Sequence, residues 1–426
     1  MITSPSWRGK RYVVLGLARS GAATTRALLA AGADVVAWDS DPTKRTIEGA
    51  QFGDPEVIDL SGFDAIVASP GVPLNRHPIA AIAARAKVPI IGDIELFAQA
   101  RATLPRHKVV GVTGTNGKST TTALIHHILE TAGVASRFGG NIGLPILGEN
   151  PLPNGGVYVL ELSSYQLDLT HGLDCDVAVL LNLSPDHLDR YDGFERYAAS
   201  KARLFAMQSS GHEAVIGIGD EASARIARGL SARGEHLCKI APGACLDQSR
   251  WPSLQGPHNA QNALAAIRAC QALGVPEQAI DLGLETFVGL PHRMERVGLV
   301  DGVVYVNDSK ATNAESTAPA LAAFDAVHWI VGGQAKAKNL DACRPGFPHV
   351  RAAYTIGDAG LLYLELLRHE FPTTYCETLA NAVGLAHDIA KPGETVLLSP
   401  ACASFDQFRD YEDRGETFRS LVGALT

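Results

Sequence analysis

The run Gly111-Val112-Thr113-Gly114-Thr115-Asn116-Gly117-Lys118-Ser119 holds the residue types that a polyphosphate needs. It follows an apolar stretch and precedes a helical pattern, TTALIHHILETAG. Glycines let backbone N–H groups turn toward phosphate oxygens, a lysine reaches the terminal phosphates, and a serine hydroxyl can face Mg²⁺. The strict GxxxxGK[ST] spacing fails by one residue, since Val112 stands at the first glycine position. A glycine-rich turn capping a helix would explain Ser119 but not the Asn-Gly-Lys-Ser run, so the loop is read as an ATP site. Near the N-terminus, Gly16-Leu17-Ala18-Arg19-Ser20-Gly21 links a strand pattern to TTRALLAAG. This is a Rossmann-like strand–turn–helix with Ala18 at the middle glycine position. Asp39 ends the next strand where a ribose-reading acid would sit, although an acidic strand end explains it as well.

Three further residues have the type and placement for chemistry. Glu161 ends the apolar run Val-Tyr-Val-Leu, where an unpaired carboxylate is costly to bury. His187 lies in Ser184-Pro185-Asp186-His187-Leu188-Asp189, again just past a strand. Lys201 lies on a helical pattern, FERYAASKARLFAM, and taken alone is an ordinary surface lysine.

The elements that must position these residues are short apolar, β-branched runs alternating with helical patterns. A first set is 12–17, 34–39, 65–71 and 88–93; a second is 108–114, 157–164, 177–184 and 214–220; a third is 303–309, 327–333, 352–358 and 395–401. Such alternation predicts parallel sheets covered on both faces. The pattern breaks near Pro105 and near Leu290–Pro291, which predicts three α/β domains: 1–105, 106–290 and 291–426. The first and third are expected to be Rossmann-like and the second a P-loop ATPase-like parallel sheet.

The chain has 426 residues, too many for one core, with 46% hydrophobic and 19% charged residues. A net charge of -8 argues against nucleic acid or an anionic membrane as the main partner. Seven scattered cysteines without a CxxC pair suggest neither a disulfide framework nor a zinc site. No signal peptide or membrane-spanning run is read, so a cytoplasmic protein is expected.

The ordered set TGTNGKS, ELSSYQL, DHLDRY, GLPHR and NDSKATN resembles the Mur ligases. With GGNIGLP (139–145) and SPACASFDQF (399–408) it most resembles the branch that adds D-glutamate, from Gly16 to about Tyr411. The resemblance implies three domains that bind a UDP-sugar, ATP and an amino acid in that order. It implies a monomeric ligase that joins D-glutamate to UDP-N-acetylmuramoyl-L-alanine through an acyl phosphate. ATP and two Mg²⁺ sites are the implied cofactors.

By the same resemblance, ATP lies on Gly114, Thr115, Asn116, Gly117, Lys118, Ser119 and Thr120, with Asn262 at the adenine. Arg293 reaches the γ-phosphate, and Asp308 and Lys310 complete the nucleotide site. Ser119 and Glu161 hold one Mg²⁺; His187 and a carbamylated Lys201 hold the second. The UDP-sugar positions are Arg19, Ser20, Ser40, Ser69, Gly71 and Asn75, with Asn141 at the muramoyl region. The amino acid is met by Thr312, Lys338, Ser404 and the backbone around Phe405 and Tyr411, an ungapped match choosing Lys338 over Lys336. No arginine-bearing Asn-Pro-Arg motif of a diamino-acid ligase occurs in the third segment.

Other readings are a folylpolyglutamate-type ligase, a P-loop kinase and a nucleotide-sugar sensor. The first lacks a UDP-binding domain, the second does not explain the third segment, and the third leaves Lys118, Glu161, His187 and Lys201 without a task. ADP release that requires both a UDP-sugar and an amino acid separates them.

Overall fold

The computed structural model describes every residue except Leu188, Asp189, Pro242, Ala244, Cys245, Lys336, Ala337 and Thr426. The strands among the described residues form three sheets. The first comprises β1 (Arg11–Leu15), β2 (Asp34–Trp38), β3 (Gln51–Phe52), β4 (Ala65–Ala68) and β5 (Ile90–Ile91), in the order β3-β2-β1-β4-β5. The second comprises β6 (His107–Thr113), β7 (Ser136–Gly140), β8 (Gly156–Glu161), β9 (Val177–Leu180), β10 (Glu213–Gly217) and β11 (Leu237–Ile240). Its order is β11-β10-β9-β6-β8-β7. All pairings in these two sheets are parallel. The central strands β6, β8 and β9 are almost wholly buried, as helices on both faces require.

The third sheet comprises β12 (Glu295–Val300), β13 (Val303–Asn307), β14 (Val327–Gly332), β15 (Val350–Ile356), β16 (Thr373–Glu377) and β17 (Thr395–Leu398). Its order is β12-β13-β17-β14-β15-β16. The four expected strands, β13, β14, β15 and β17, pair parallel, and an edge strand not read from the sequence, β12, pairs antiparallel with β13. The two-residue turn Asp301-Gly302 joins them, and both residues have positive φ, at 47° and 78°. A tight turn of that kind closes a hairpin, whereas a parallel neighbour needs a long crossover.

Compactness divides the chain into two units, Met1–Ala244 with Gln261–Leu284, and Cys245–Ala260 with Glu285–Thr426. The expected limits near Pro105 and Leu290–Pro291 fall between sheets, but the first two sheets lie in one unit. They share a continuous core in which Val14 and Val67 join Phe97, Tyr158 and Leu180. The junction is also stapled by polar contacts. The Glu95 carboxylate accepts from the backbone N–H groups of His171 and Gly172, at 2.7 and 2.9 Å. Gly92 N donates to Leu169 O at 3.0 Å. The second unit has cores on the two faces of its sheet, one around Trp329, Val331 and Leu397, the other around Tyr305, Ile330 and Phe418.

Candidate functional site

In the first sheet the chain leaves β1 through Gly16, at φ 87°, and enters the helix Arg19–Ala30. Gly21 must be glycine because a Cβ there would overlap the Gly16 carbonyl. Asp39 fixes this turn: its Oδ2 accepts from Leu17 N at 2.7 Å and its Oδ1 from Asp41 N at 2.9 Å. Burial alone would raise the Asp39 pKa, but these two bonds and Lys44 outweigh it and hold the carboxyl below its ordinary value. Asp39 is thus a brace of the loop, engaged through both oxygens. Ser69 Oγ donates to Gly16 O at 2.7 Å and ties the turn after β4 to the turn after β1.

These turns wall a cleft of about 550 Å³ lined by Arg19, Ser20, Ser40, Ser69, Gly71 and Asn141, among others. Asn75 lies outside it, in a neighbouring hollow of about 140 Å³ with Tyr165 and Arg190. The cleft also takes in Trp38 and Gln166, which the sequence reasoning left out. Gln166 belongs to a capping box: its side-chain oxygen accepts from Ser163 N at 3.1 Å.

The phosphate loop leaves β6 with Gly114 and Gly117 at φ 145° and 85°. A Cβ on Gly117 would collide with the Asn262 side-chain oxygen, so Asn262, 3% exposed, packs directly on the loop. Lys118 Nζ donates to the carbonyls of Gly114 and Thr115 at 2.9 and 2.7 Å, which holds the ammonium over the loop. Ser119 and Thr120 open the helix Lys118–Thr131 and are buried. Asn182 clamps the loop from the end of β9. Its backbone carbonyl accepts from Thr115 N at 2.8 Å, and its side chain pairs with Asn116 N at 2.9 Å and Asn116 O at 3.2 Å. Thr115 Oγ1 also meets Tyr197 OH at 3.1 Å. Neither Asn182 nor Tyr197 was foreseen; an Asn at the end of an apolar strand facing the loop was the available signal.

Glu161 ends β8 and is 2% exposed. Its Oε1 accepts from Asn141 Nδ2 at 2.8 Å, while Oε2 is buried with no hydrogen-bond partner. A buried carboxylate oxygen without a donor is what a cation would satisfy. Through Asn141, Glu161 is joined to the 550 Å³ cleft. Among the described residues no three His, Cys, Asp or Glu side chains gather into a metal-binding cluster. The candidate donors are instead the Ser119 hydroxyl, the Glu161 carboxylate, the His187 imidazole and the Lys201 side chain.

Lys201, on the helix Phe194–Ala206, is 2% exposed and so is not a solvated surface lysine. Its Nζ stands 4.9 Å from the Tyr197 ring centroid and 3.5 Å from Thr113 Oγ1. Burial, then the like charge of Lys118, pushes its pKa well down, and Asp186, Glu161 and Asp168 only partly restore it. His187 has φ 53° and is exposed, 5.1 Å from the Tyr165 ring and 6.4 Å from the Tyr197 ring. Lys118, Glu161, Asp186 and Asp168 thus all lie within electrostatic reach of Lys201.

In the second unit, Asp308 follows β13 and is buried; burial pushes its carboxyl up to about 6, against the pull of Arg293. It accepts from Ser399 Oγ at 2.8 Å and Met294 N at 3.2 Å. Lys310 Nζ lies 5.5 Å from the Tyr411 ring centroid. Ser404 is buried, Phe405 is 68% exposed, and Lys338 is exposed. Lys336 lies outside the described residues. Arg414, missed from sequence, is fully buried and joins two loops. It donates to Ser309 Oγ and O at 2.9 and 2.8 Å, and to the carbonyls of Cys402 and Ala403 at 3.0 and 3.3 Å. This fork sets the turn bearing Lys310 and Thr312 against the loop bearing Ser404.

The Mur ligase middle domain family matches residues 112–242, and the Mur ligase glutamate ligase domain family matches 292–402. The chain is 61% identical to the UDP-N-acetylmuramoylalanine–D-glutamate ligase of Novosphingobium aromaticivorans, covering 100% of this chain and 97% of that one. It is 59% identical to the enzyme of the same name from Sphingopyxis alaskensis, with both chains covered completely. Among solved structures, the UDP-N-acetylmuramate-alanine ligase of Thermotoga maritima superposes with a TM-score of 0.60 at 16% identity, covering 98% of this chain and 100% of that one. MurF of Acinetobacter baumannii does so with a TM-score of 0.60 at 17% identity, covering 99% and 92%. With full-length relatives at this identity and the phosphate loop, Glu161 and Lys201 assembled as described, the chain belongs to the Mur ligase family, among the UDP-N-acetylmuramoylalanine–D-glutamate ligases.

Proposed function

We propose that this protein is an ATP-dependent ligase that joins D-glutamate to UDP-N-acetylmuramoyl-L-alanine in the making of peptidoglycan precursors. A carboxylate is a poor acyl donor because its oxygen does not leave. ATP converts it to an acyl phosphate, and the amine of glutamate then displaces phosphate through a tetrahedral intermediate. The observation that carries this reading is the gathering, in one unit, of the phosphate loop, the partnerless Glu161 oxygen, the buried Lys201 and the 550 Å³ cleft. Arg19, Ser20, Ser40, Ser69, Gly71 and Asn141 would hold the UDP-sugar, with Asn75 at the margin. The loop amides and Lys118 would take the phosphates, and Asn262 would lie at the nucleotide.

Two Mg²⁺ ions, held by Ser119 and Glu161 and by His187 and Lys201, would neutralise phosphate and carboxylate charge. Lys201 suits its part because burial favours its uncharged amine. A neutral amine adds to CO₂, forming an N–C bond and releasing one proton, which turns a would-be cation into a carboxylate-like ligand. In the second unit, Arg293, Asp308 and Lys310 would serve the nucleotide. Thr312, Lys338, Ser404 and the backbone at Phe405 and Tyr411 would receive the two carboxylates of glutamate.

We place the enzyme in the cytoplasm, where ATP is available, acting as a monomer on small molecules; no helix among the described residues is long and apolar enough to cross a membrane. ADP release tests the reading. It should require the UDP-sugar and D-glutamate together, and release with either alone would contradict a ligase.

A further inference from the structure

The Ser69–Val72 turn borders the UDP-sugar cleft, and one side chain holds it from the central sheet. Arg190 lies three residues beyond His187. Its two terminal nitrogens donate to the carbonyls of Val72 and Gly71, each at 3.0 Å. The same guanidinium lies 4.5 Å from the Tyr165 ring centroid. Tyr165 stands 5.1 Å from the His187 ring and stacks on Tyr191 at 6.0 Å and 10°. Arg190 N and Tyr191 N both donate to the His187 carbonyl, at 2.9 and 3.3 Å, which ties Arg190 to His187. Tyr191 OH reaches Asp168 at 2.8 Å and Ser200 Oγ at 3.3 Å, and Ser200 precedes Lys201.

A displacement of the Gly71–Val72 turn therefore pulls directly on the base of the His187 loop. The guanidinium fork spans two adjacent carbonyls, which a single ammonium cannot do. We propose that Arg190 is a positioning residue that links occupation of the UDP-sugar cleft to the arrangement of His187 and Lys201. This rests on the ligase reading above. The consequence is reciprocal: acceptor and nucleotide must strengthen each other's binding through this contact.

Calorimetry on the whole protein tests this without turnover, by titrating a non-hydrolysable ATP analogue with Mg²⁺ in the presence and absence of UDP-N-acetylmuramoyl-L-alanine. In the wild type the acceptor should tighten the analogue roughly fivefold or more. In Arg190→Ala that gain should vanish, while analogue affinity without acceptor stays within about twofold. At saturating substrates the variant's kcat should fall about tenfold, as for loss of hydrogen bonds from a charged group. Arg190→Lys should lie between the two. An acceptor-driven gain that persists in Arg190→Ala overturns the proposal, as does a fall in analogue affinity without acceptor that parallels a fall in melting temperature. Absence of ADP release by the wild type with both substrates would defeat the ligase reading, while the calorimetric coupling still decides the role of Arg190.

Discussion

Replacing Asp308 by asparagine should stabilise the fold while weakening the enzyme. The carboxyl is buried at the end of β13, and burial lifts it from the ordinary 3.8 to about 6. That displacement of about two pH units is worth about 3 kcal/mol. The folded protein holds this proton more tightly than the unfolded chain does. Stability therefore falls as pH rises from about 3.8 to about 6 and stays lower above that. Asparagine keeps the shape and can still accept from Met294 N. Its amide faces Ser399 Oγ, which can turn its own hydrogen toward Thr317 Oγ1, 3.1 Å away. The attraction of Arg293 and Arg414 is already contained in that net displacement, and imperfect replacement of the Ser399 hydrogen bond offsets part of the gain. Net stabilisation at pH 8 should be about 1–2 kcal/mol, and the variant's advantage should shrink by about 2 kcal/mol at pH 4. Urea titrations of both proteins at the two pH values measure this, with kcat expected to fall at least about tenfold if the carboxylate serves the nucleotide. A stability difference that does not change with pH would refute the reasoning.

Lys118→Ala should leave the melting temperature nearly unchanged and lower kcat roughly 100-fold or more, because it removes charge from the phosphates and no core volume; near-normal turnover would remove the phosphate-loop assignment. Gly117→Ala should destabilise by about 1–3 kcal/mol and weaken ATP binding, since φ is 85° and the added Cβ meets Asn262; calorimetry showing unchanged ATP affinity would count against this loop geometry. Lys201→Ala should be almost inactive and regain part of its activity with a small carboxylic acid, and absence of any rescue would speak against a carbamylated lysine. Ser404→Ala should raise the glutamate concentration required and leave affinity for ATP and UDP-sugar nearly unchanged; an equal rise in the ATP requirement would place Ser404 elsewhere.

Buried parallel strands announce themselves as apolar runs, which is why β6, β8 and β9 are legible. Edge strands do not. β7 (Ser136–Gly140) carries two glycines, β16 (Thr373–Glu377) is largely polar, and β12 (Glu295–Val300) exposes alternate residues irregularly. Such strands face solvent on one side and lack the continuous apolar signature. In the candidate site, the phosphate loop is readable because its function depends on local residue types. Asn182, Arg190 and Arg414 are not, since they act on backbone 66 or more, 118 and 105 positions away. Lys201 shows the same limit: its helix reads as amphipathic, but only the tertiary packing reveals that its amine is buried and its pKa pushed well down.

The most direct test of the account is a competition among labelled D-glutamate, L-glutamate and diaminopimelate, with UDP-N-acetylmuramoyl-L-alanine as acceptor and ATP and Mg²⁺ present. The product should carry D-glutamate, with one ADP released for each residue incorporated. Preferential incorporation of either competitor, or ADP release without incorporation, would contradict it.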